Sequence, residues 1–235
     1  MNKPIILHIE TSTEVCSVAL SSDEQCLCVK ESTDGRNHAA LLTVLIEELF
    51  DTNDISASML NAVAISSGPG SYTGLRIGTS VAKGVCYGAN IPLVAVSTLH
   101  AMSMGFIQLN GDIPQSALLC PMIDARRMEV YTALYDQKGS IVENISAKII
   151  TEHSFSSWLE EYQIYFFGNG SNKCRSSIKH YNAIFCDNFT HSSRYMLKPA
   201  LQAYNEKIFE DVAYFEPFYL KDFIAGPIKS GKINC

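Results

Sequence analysis

Three short segments carry residue types whose spacing suits phosphate or metal chemistry. The first, Glu10-Thr11-Ser12-Thr13, follows the apolar run from Ile5 to Ile9. A carboxylate and three hydroxyls at a turn between strands are groups that hold a phosphate or its metal. A Cβ at the point of closest approach obstructs such contact, and residue 12 is serine rather than glycine. The second, Asp124-Ala125-Arg126, is a matching turn later in the chain, again without glycine. The third is Ser66-Ser67-Gly68-Pro69-Gly70-Ser71, leading into Tyr72-Thr73-Gly74-Leu75-Arg76-Ile77-Gly78. Backbone N–H groups at a helix start hold anions. No Gly-Lys-Ser/Thr closes this loop, however, and Ser71 does not sit in a Gly-x-Ser-x-Gly elbow.

Metal and nucleophile chemistry is poorly supported. The six histidines, at 8, 38, 100, 153, 180 and 191, include no His-x-x-x-His pair and no His-Glu-x-x-His. His38, at a helix start, reads as a capping or interface residue. Nothing marks a Ser-His-Asp triad. The eight cysteines are scattered and mostly sit in apolar runs, so they read as reduced thiols. Cys26-x-Cys28 is too closely spaced for a zinc knuckle and reads as alternation along a strand.

The elements that position these residues form a pattern that occurs twice. Strands are expected at Ile5 to Glu10, Glu14 to Ser21 and Gln25 to Glu31, an antiparallel meander with short turns. A helix from His38 to Phe50 follows, with Asn37 as N-cap. Next come a strand from Asn61 to Ser66, a long helix from Tyr72 to Ala89, a strand from Ile91 to Val96, and a helix capped by Ser97 that ends near Leu109. Asn110-Gly111-Asp112-Ile113-Pro114 marks a boundary. Beyond it, strands are expected at 116–123, 128–135 and 140–149, then a helix at 154–162, a strand at 164–167, a helix at 171–180 and a strand at 183–186. A last helix covers 194–209. The fold class is therefore α/β: two lobes, each a mixed sheet with a three-strand meander and flanking helices. The lobes span 1–110 and 111–193, and the segment 194–221 is expected to pack back on the first.

Composition narrows the function classes. The chain has 235 residues, a net charge of -6, 47% hydrophobic and 18% charged residues. That excludes disorder, and a free-standing nucleic-acid clamp would carry a basic surplus. No window supplies the roughly 18 apolar residues of a membrane span, and the start has no secretory pattern. A cytoplasmic chain is expected.

Two helices look unusual. His38 to Phe50 is apolar nearly all round: Leu41, Leu45 and Leu49 lie on one side, while Leu42, Ile46 and Phe50 widen the stripe past what one sheet covers. The excess should find another cover. In Tyr72 to Ala89, Gly74, Gly78 and Ala82 recur every fourth residue on one face, and Gly84 and Gly88 repeat the spacing on a neighbouring face. Interior helical glycine costs about 1 kcal/mol against Ala, so close approach of another element is implied. Packing within one lobe and contact with a partner helix both fit.

Family resemblance adds to this reading. In the actin, hexokinase and sugar-kinase superfamily the first hairpin reads Asp-x-Gly-Thr, and here Glu10 and Ser12 replace the Asp and the Gly. Ile9 to Leu20 is similar to the opening of the TsaB family, formerly YeaZ, the bacterial dimerisation subunit of the tRNA threonylcarbamoyladenosine modification complex. Ser67 to Gly78 resembles that family's most specific motif, Ile123 to Tyr131 its second-lobe hairpin, and Glu216-Pro217-Phe218-Tyr219-Leu220 its C-terminal signature. Glu10 stands where many members have Asp, and Met128 where Gly is common.

The resemblance implies two actin-like (hexokinase/Hsp70-superfamily, ribonuclease H-like) lobes and a scaffold role. The chain would pair with a homologous catalytic threonylcarbamoyltransferase subunit, which modifies the tRNA adenosine next to the anticodon, and a separate ATPase subunit would complete the complex. ATP or ADP and a metal are expected on those partners and none on this chain. Metal ligation in the catalytic relative uses a His-x-x-x-His that this chain lacks. The tRNA is expected only through the complex, and the chain alone is expected to form a competing homodimer. Glu10, Ser12, Thr13, Asp124, Ala125 and Arg126 would be degenerate phosphate loops. The partner surface would comprise His38, Leu41, Leu42, Leu45, Ile46, Leu49, Tyr72, Gly74, Arg76, Gly78, Thr79, Ala82 and Lys83. Arg36, Arg76 and Lys83 would extend a basic surface built mainly by the partner. Two other classes stay open: a sugar-kinase-type enzyme, against which the altered loops speak, and a glycoprotease-like metallopeptidase, against which the missing ligands speak.

Overall fold

Strand β1 (Ile5–Glu10) is buried on both faces, and its period-two alternation sorts the core into two layers. Leu7 and Ile9 face one layer of helices, and Ile6 faces the other. The structure is a computed structural model describing residues 3–34 and 37–221. β1 pairs antiparallel with β2 (Cys16–Ser22), which pairs antiparallel with β3 (Gln25–Ser32). On its other side β1 runs parallel to β4 (Ala62–Ser66), which runs parallel to β5 (Leu93–Val96). The sheet order is β3-β2-β1-β4-β5.

The second sheet repeats this plan. β6 (Leu118–Asp124), β7 (Glu129–Tyr135) and β8 (Ile141–Ile149) form the meander, and β9 (Ile164–Phe167) and β10 (Ala183–Cys186) are the parallel strands. The order β10-β9-β6-β7-β8 is the same topology, so the fold is two actin-like lobes with mixed sheets.

Helices α1 (His38–Asn53) and α2 (Tyr72–Ala89) cover one face of the first sheet side by side. Leu42, Leu45, Ile46 and Leu49 of α1 and Ala82 and Cys86 of α2 fill that layer with Val18, Leu20, Val63 and Ile65. The other face is covered by α3 (Thr98–Leu109), a 3-10 turn at Ser193–Met196 and α5 (Leu197–Asn205). Helix α3 serves both lobes. Ala101 packs on the first sheet, while Leu99, Met102 and Phe106 enter a cluster with Leu119, Ile123, Tyr135 and Phe167. Phe106 stacks on Phe167 with ring centroids 4.1 Å apart. The lobes thus share an apolar core through this helix.

Several expected elements differ. The helix expected at 171–180 is only a 3-10 turn, Asn172–Cys174. Its Ser and Asn residues favour local turns over helix, and Cys174 and Ile178 supply its main buried apolar contacts. Helix α4 (Ser156–Glu161) is shorter than expected. The last helix is confined to Leu197–Asn205, where Pro199 falls in the first turn and lacks only an N–H that has no helical partner. Asn37 and Ser97 occupy N-cap positions without a side-chain cap bond, whereas the Ser71 hydroxyl accepts from the Gly74 N–H. The seven described cysteines are free, and burial pushes the Cys16 and Cys86 thiols up to about 11 and Cys120 to about 12. No helix of the described residues is long and apolar enough to cross a membrane.

Candidate functional site

The two glycine-free turns lie on opposite walls of one interlobe cleft. This cavity of about 540 Å³ is lined by Ser12, Thr13, Glu14, Asp124, Ala125 and Arg126, with Gly70, Ser71, Tyr72, Thr73, Asn169 and Lys221. β1 ends at Glu10 and β6 at Asp124, so the twofold fold plan delivers a carboxylate to each wall.

The first wall is closed on itself. Glu10 is fully buried, and its Oε1 accepts from both the Ser12 N–H at 2.6 Å and the Ser12 hydroxyl. Its Oε2 lies 2.7 Å from Nε2 of His191, also buried. Burial alone would raise the Glu10 pKa. The His191 charge and the hydrogen bonds from His191 and Ser12 outweigh it and hold the carboxyl below its ordinary value. The Ser12 backbone donor is therefore spent on a buried negative charge.

The turn is also backed by chain. The Ser71 N–H donates to the Ser12 carbonyl at 2.7 Å. A Cβ on Gly70 would collide with Ser12, at 2.7 Å from its Cβ and 3.0 Å from its carbonyl carbon. Gly68 has φ +101°, a left-handed conformation open to glycine, and lets the loop return beneath α2.

The second wall repeats the device. Asp124 Oδ1 accepts from the Arg126 N–H at 2.7 Å and from Lys173 at 2.5 Å. Gly168, φ +96°, opens the loop Gly168-Asn169-Gly170-Ser171, and a Cβ on Gly170 would meet the Ile123 carbonyl carbon at 2.8 Å. Asn169 spans the cleft: its Oδ1 accepts from the Asp124 N–H at 3.0 Å, and its Nδ2 donates to Glu14 Oε2 at 2.5 Å. Lys221 pairs with Glu129.

The glycine spacing of α2 is resolved by what sits above it. A Cβ on Gly74 would fall well inside 3.0 Å of the Thr11 carbonyl oxygen, and one on Gly78 would strike the Thr11 hydroxyl and meet Ile65 Cδ1 at 3.0 Å. The Thr11 hydroxyl donates to the Gly74 carbonyl at 2.8 Å. These two glycines let α2 lie against the first turn within one lobe. A Cβ on Gly84 or Gly88 would meet nothing within 4 Å among the described residues.

The expected partner residues divide accordingly. Leu42, Leu49, Gly74, Gly78 and Ala82 are core, closed off by their own lobe, and must be removed from any surface. His38, Leu45, Ile46 and Thr79 are also buried, with the His38 ring bonded to the Thr13 carbonyl oxygen at 3.1 Å. Leu41, Tyr72 and Lys83 are half-buried and Arg76 is exposed. The outer face instead presents Ala39, Ala40, Thr43, Val44, Glu47 and Glu48 from α1 and Thr73, Ser80, Gly84 and Tyr87 from α2. Lys83 donates to the Ala213 and Phe215 carbonyls at 2.9 and 3.0 Å, Arg76 stacks on Tyr72 with its guanidinium carbon 4.5 Å from the ring centroid, and Arg36 lies outside the described residues.

Sequence reasoning missed His191 and Asn169. His191 stands 181 residues from Glu10, and no local pattern marks it. Asn169 carried a signal: Gly168-Asn169-Gly170-Ser171 repeats Gly68-Pro69-Gly70-Ser71 after the fourth strand of each lobe.

Similarity to known proteins agrees with this geometry. The family model "TsaD: tRNA N6-adenosine threonylcarbamoyltransferase" matches residues 32–225. The chain is 38% identical over 141 residues to the tRNA threonylcarbamoyladenosine biosynthesis protein TsaB of Escherichia coli (strain K12), a match spanning 57% of each chain and so only a little over half of that relative. It is 28% identical to TsaB of Haemophilus influenzae over 231 residues, 94% of this chain and 95% of that one. The solved structure of YeaZ from Pseudomonas aeruginosa, 24% identical, superposes with a TM-score of 0.80 over 92% of this chain and all of that one, a likeness of fold. On these matches, the chain belongs to the TsaB/YeaZ family.

Proposed function

We propose that the chain is a non-catalytic scaffold subunit. It pairs with a homologous catalytic threonylcarbamoyltransferase subunit and activates it for modification of the tRNA adenosine next to the anticodon. The observation that carries this reading is the closed first turn. Glu10 takes up both Ser12 donors and binds His191, so an incoming phosphate would meet a buried carboxylate instead of free N–H groups. Nucleotide and metal then belong to the catalytic partner and to an ATPase subunit. The tRNA is reached through the assembly, because a chain of net charge -6 lacks the basic surplus that phosphate binding requires.

The outer face of α1 and α2 supports pairing. Beside the exposed Glu47, Glu48 and Arg76 it presents small and apolar side chains, with Val44 44% exposed, and helices approach closely over such surfaces. Two copies of the chain use the same face when the partner is absent, so homodimer and heterodimer compete.

Reconstitution tests the reading. The purified chain, the catalytic subunit and the ATPase subunit are combined with tRNA, and modification is followed with and without the chain. Modification is expected only with the chain present, and calorimetry of the chain alone with ATP is expected to show no binding. Micromolar ATP binding by the chain alone, or full modification without it, would refute the scaffold role.

A further inference from the structure

The segment after α5 returns across the first lobe and touches α2 at two separated points. It joins the edge of the first sheet where the Glu210 N–H donates to the Leu93 carbonyl at 2.9 Å. Asp211 then turns the chain, its Oδ1 accepting from the N–H groups of Ala213 and Tyr214. Val212 and Phe215 pack against the α1–α2 core layer. Lys83 of α2 donates to the carbonyls of Ala213 and Phe215. Further on, the Phe218 N–H donates to the Ser67 carbonyl at 2.7 Å, beneath the loop that starts α2. Tyr219 meets Tyr72, the first residue of α2, with ring centroids 4.9 Å apart. Lys221 ends the path on Glu129 of the second lobe.

The helical spacing shows what this does to α2. Tyr72, Thr79 and Lys83 lie along one flank, at i, i+7 and i+11. Ile77 and Val81 lie on the opposite flank, which packs toward α1 and its core layer. Thr73, Ser80, Gly84 and Tyr87 stand on the exposed ridge between. The ridge is thus held by α1 on one side and by the returning segment on the other.

We propose that residues 210–221 are a strap that sets the position of the α2 ridge for docking, with Lys83 as its central positioning residue. The inference rests on the scaffold reading for the identity of the docked partner. It assigns the Lys83 charge to two carbonyls of the chain itself, and not to nucleic acid. Lysine suits this role because one ammonium carries several donors and spans two carbonyls from a single helical position. Through Lys221 and Glu129 the same segment fastens the docking face to the second lobe.

Lys83→Met keeps most of the aliphatic stem and removes the donors. Hydrogen exchange on the full chain is read first. Amides of 213–219 are expected to exchange about tenfold faster in the variant, the loss of charge-assisted bonds at a partly exposed site. Amides of β1 and β4 are expected to be unchanged, which shows the fold intact. Binding to the catalytic subunit is then expected to weaken about tenfold, with Lys83→Arg restoring much of it. Unchanged exchange across 213–219 would overturn the strap. Faster exchange with undiminished binding would overturn its role in docking. A wild-type chain that does not bind the catalytic subunit refutes the scaffold reading instead, while the exchange result still decides the strap.

Discussion

Alanine at Gly74 and alanine at Gly84 make the same chemical change in the same helix, and the structure assigns them opposite signs. At Gly84 nothing among the described residues lies within 4 Å of the added methyl. The gain is the helix-propensity difference, about 1 kcal/mol of added stability. At Gly74 the methyl falls on the backbone carbonyl of Thr11, whose carbon would sit 3.2 Å away and whose oxygen would sit closer still. Thr11 is fully buried, so the turn cannot swing into solvent. The helix has to retreat by roughly 1 Å to restore ordinary contact. Overpacking of this kind costs about 1–3 kcal/mol. Retreat also strains the bond from the Thr11 hydroxyl to the Gly74 carbonyl, and an orphaned buried group adds about 1–3 kcal/mol. The two costs add to about 2–6 kcal/mol, and the same propensity gain offsets about 1 kcal/mol of that loss. Urea denaturation of the two variants beside the parent chain measures both signs. A Gly74→Ala chain as stable as the parent would refute the claim that these glycines exist to seat α2 on the first turn.

Acid should destabilise the fold well before ordinary carboxylates titrate. His8 is fully buried, and burial pushes its pKa down to about 3. The unfolded chain takes up that proton near pH 6.5, so this stability is complete above 6.5. It falls by about 1.4 kcal/mol per pH unit until about pH 3. Glu10 acts in the same direction at lower pH, because its depressed carboxyl loses its contribution as pH falls below the ordinary carboxylate value. Urea midpoints that stay flat between pH 7 and 5 would contradict a neutral buried His8. Glu10→Gln removes the anion facing His191 and should cost about 3 kcal/mol in the same denaturation assay, with an unchanged midpoint counting against the pair. Val44→Glu lies on the outer face of α1, so its stability should move by no more than about 0.5 kcal/mol. Its binding to the catalytic subunit should nonetheless drop at least about tenfold on a titration curve, and full affinity would place the interface elsewhere.

Much of the architecture was legible because it rests on local pattern. Alternation marked the strands of both meanders, and the bounds of α2 follow from the helix-starting loop at Gly68-Pro69-Gly70-Ser71 and the change of pattern after Ala89. The likeness of Glu10 and Asp124 was visible as two carboxylates at the ends of equivalent strands. The helix expected at 171–180 failed for a physical reason: a short polar run with few buried contacts does not sustain helix without a long packed face.

By itself, then, the sequence determined the twofold α/β plan and the absence of glycine from both turns. These are properties of residue type and period, which act over a few neighbours. Tertiary structure alone decided what each group faces. It placed His191 against Glu10 across 181 residues, so that the carboxylate is paired and the turn closed. It set Thr11 over Gly74 and Gly78 and left Gly84, on a neighbouring face, free of described contacts, so that one set of small residues is core and the other surface. It made α3 common to both lobes and turned Lys83 inward to the returning chain. Spacing along a helix records which residues share a face, but a close approach or a buried charge pair depends on the partner that folding brings there.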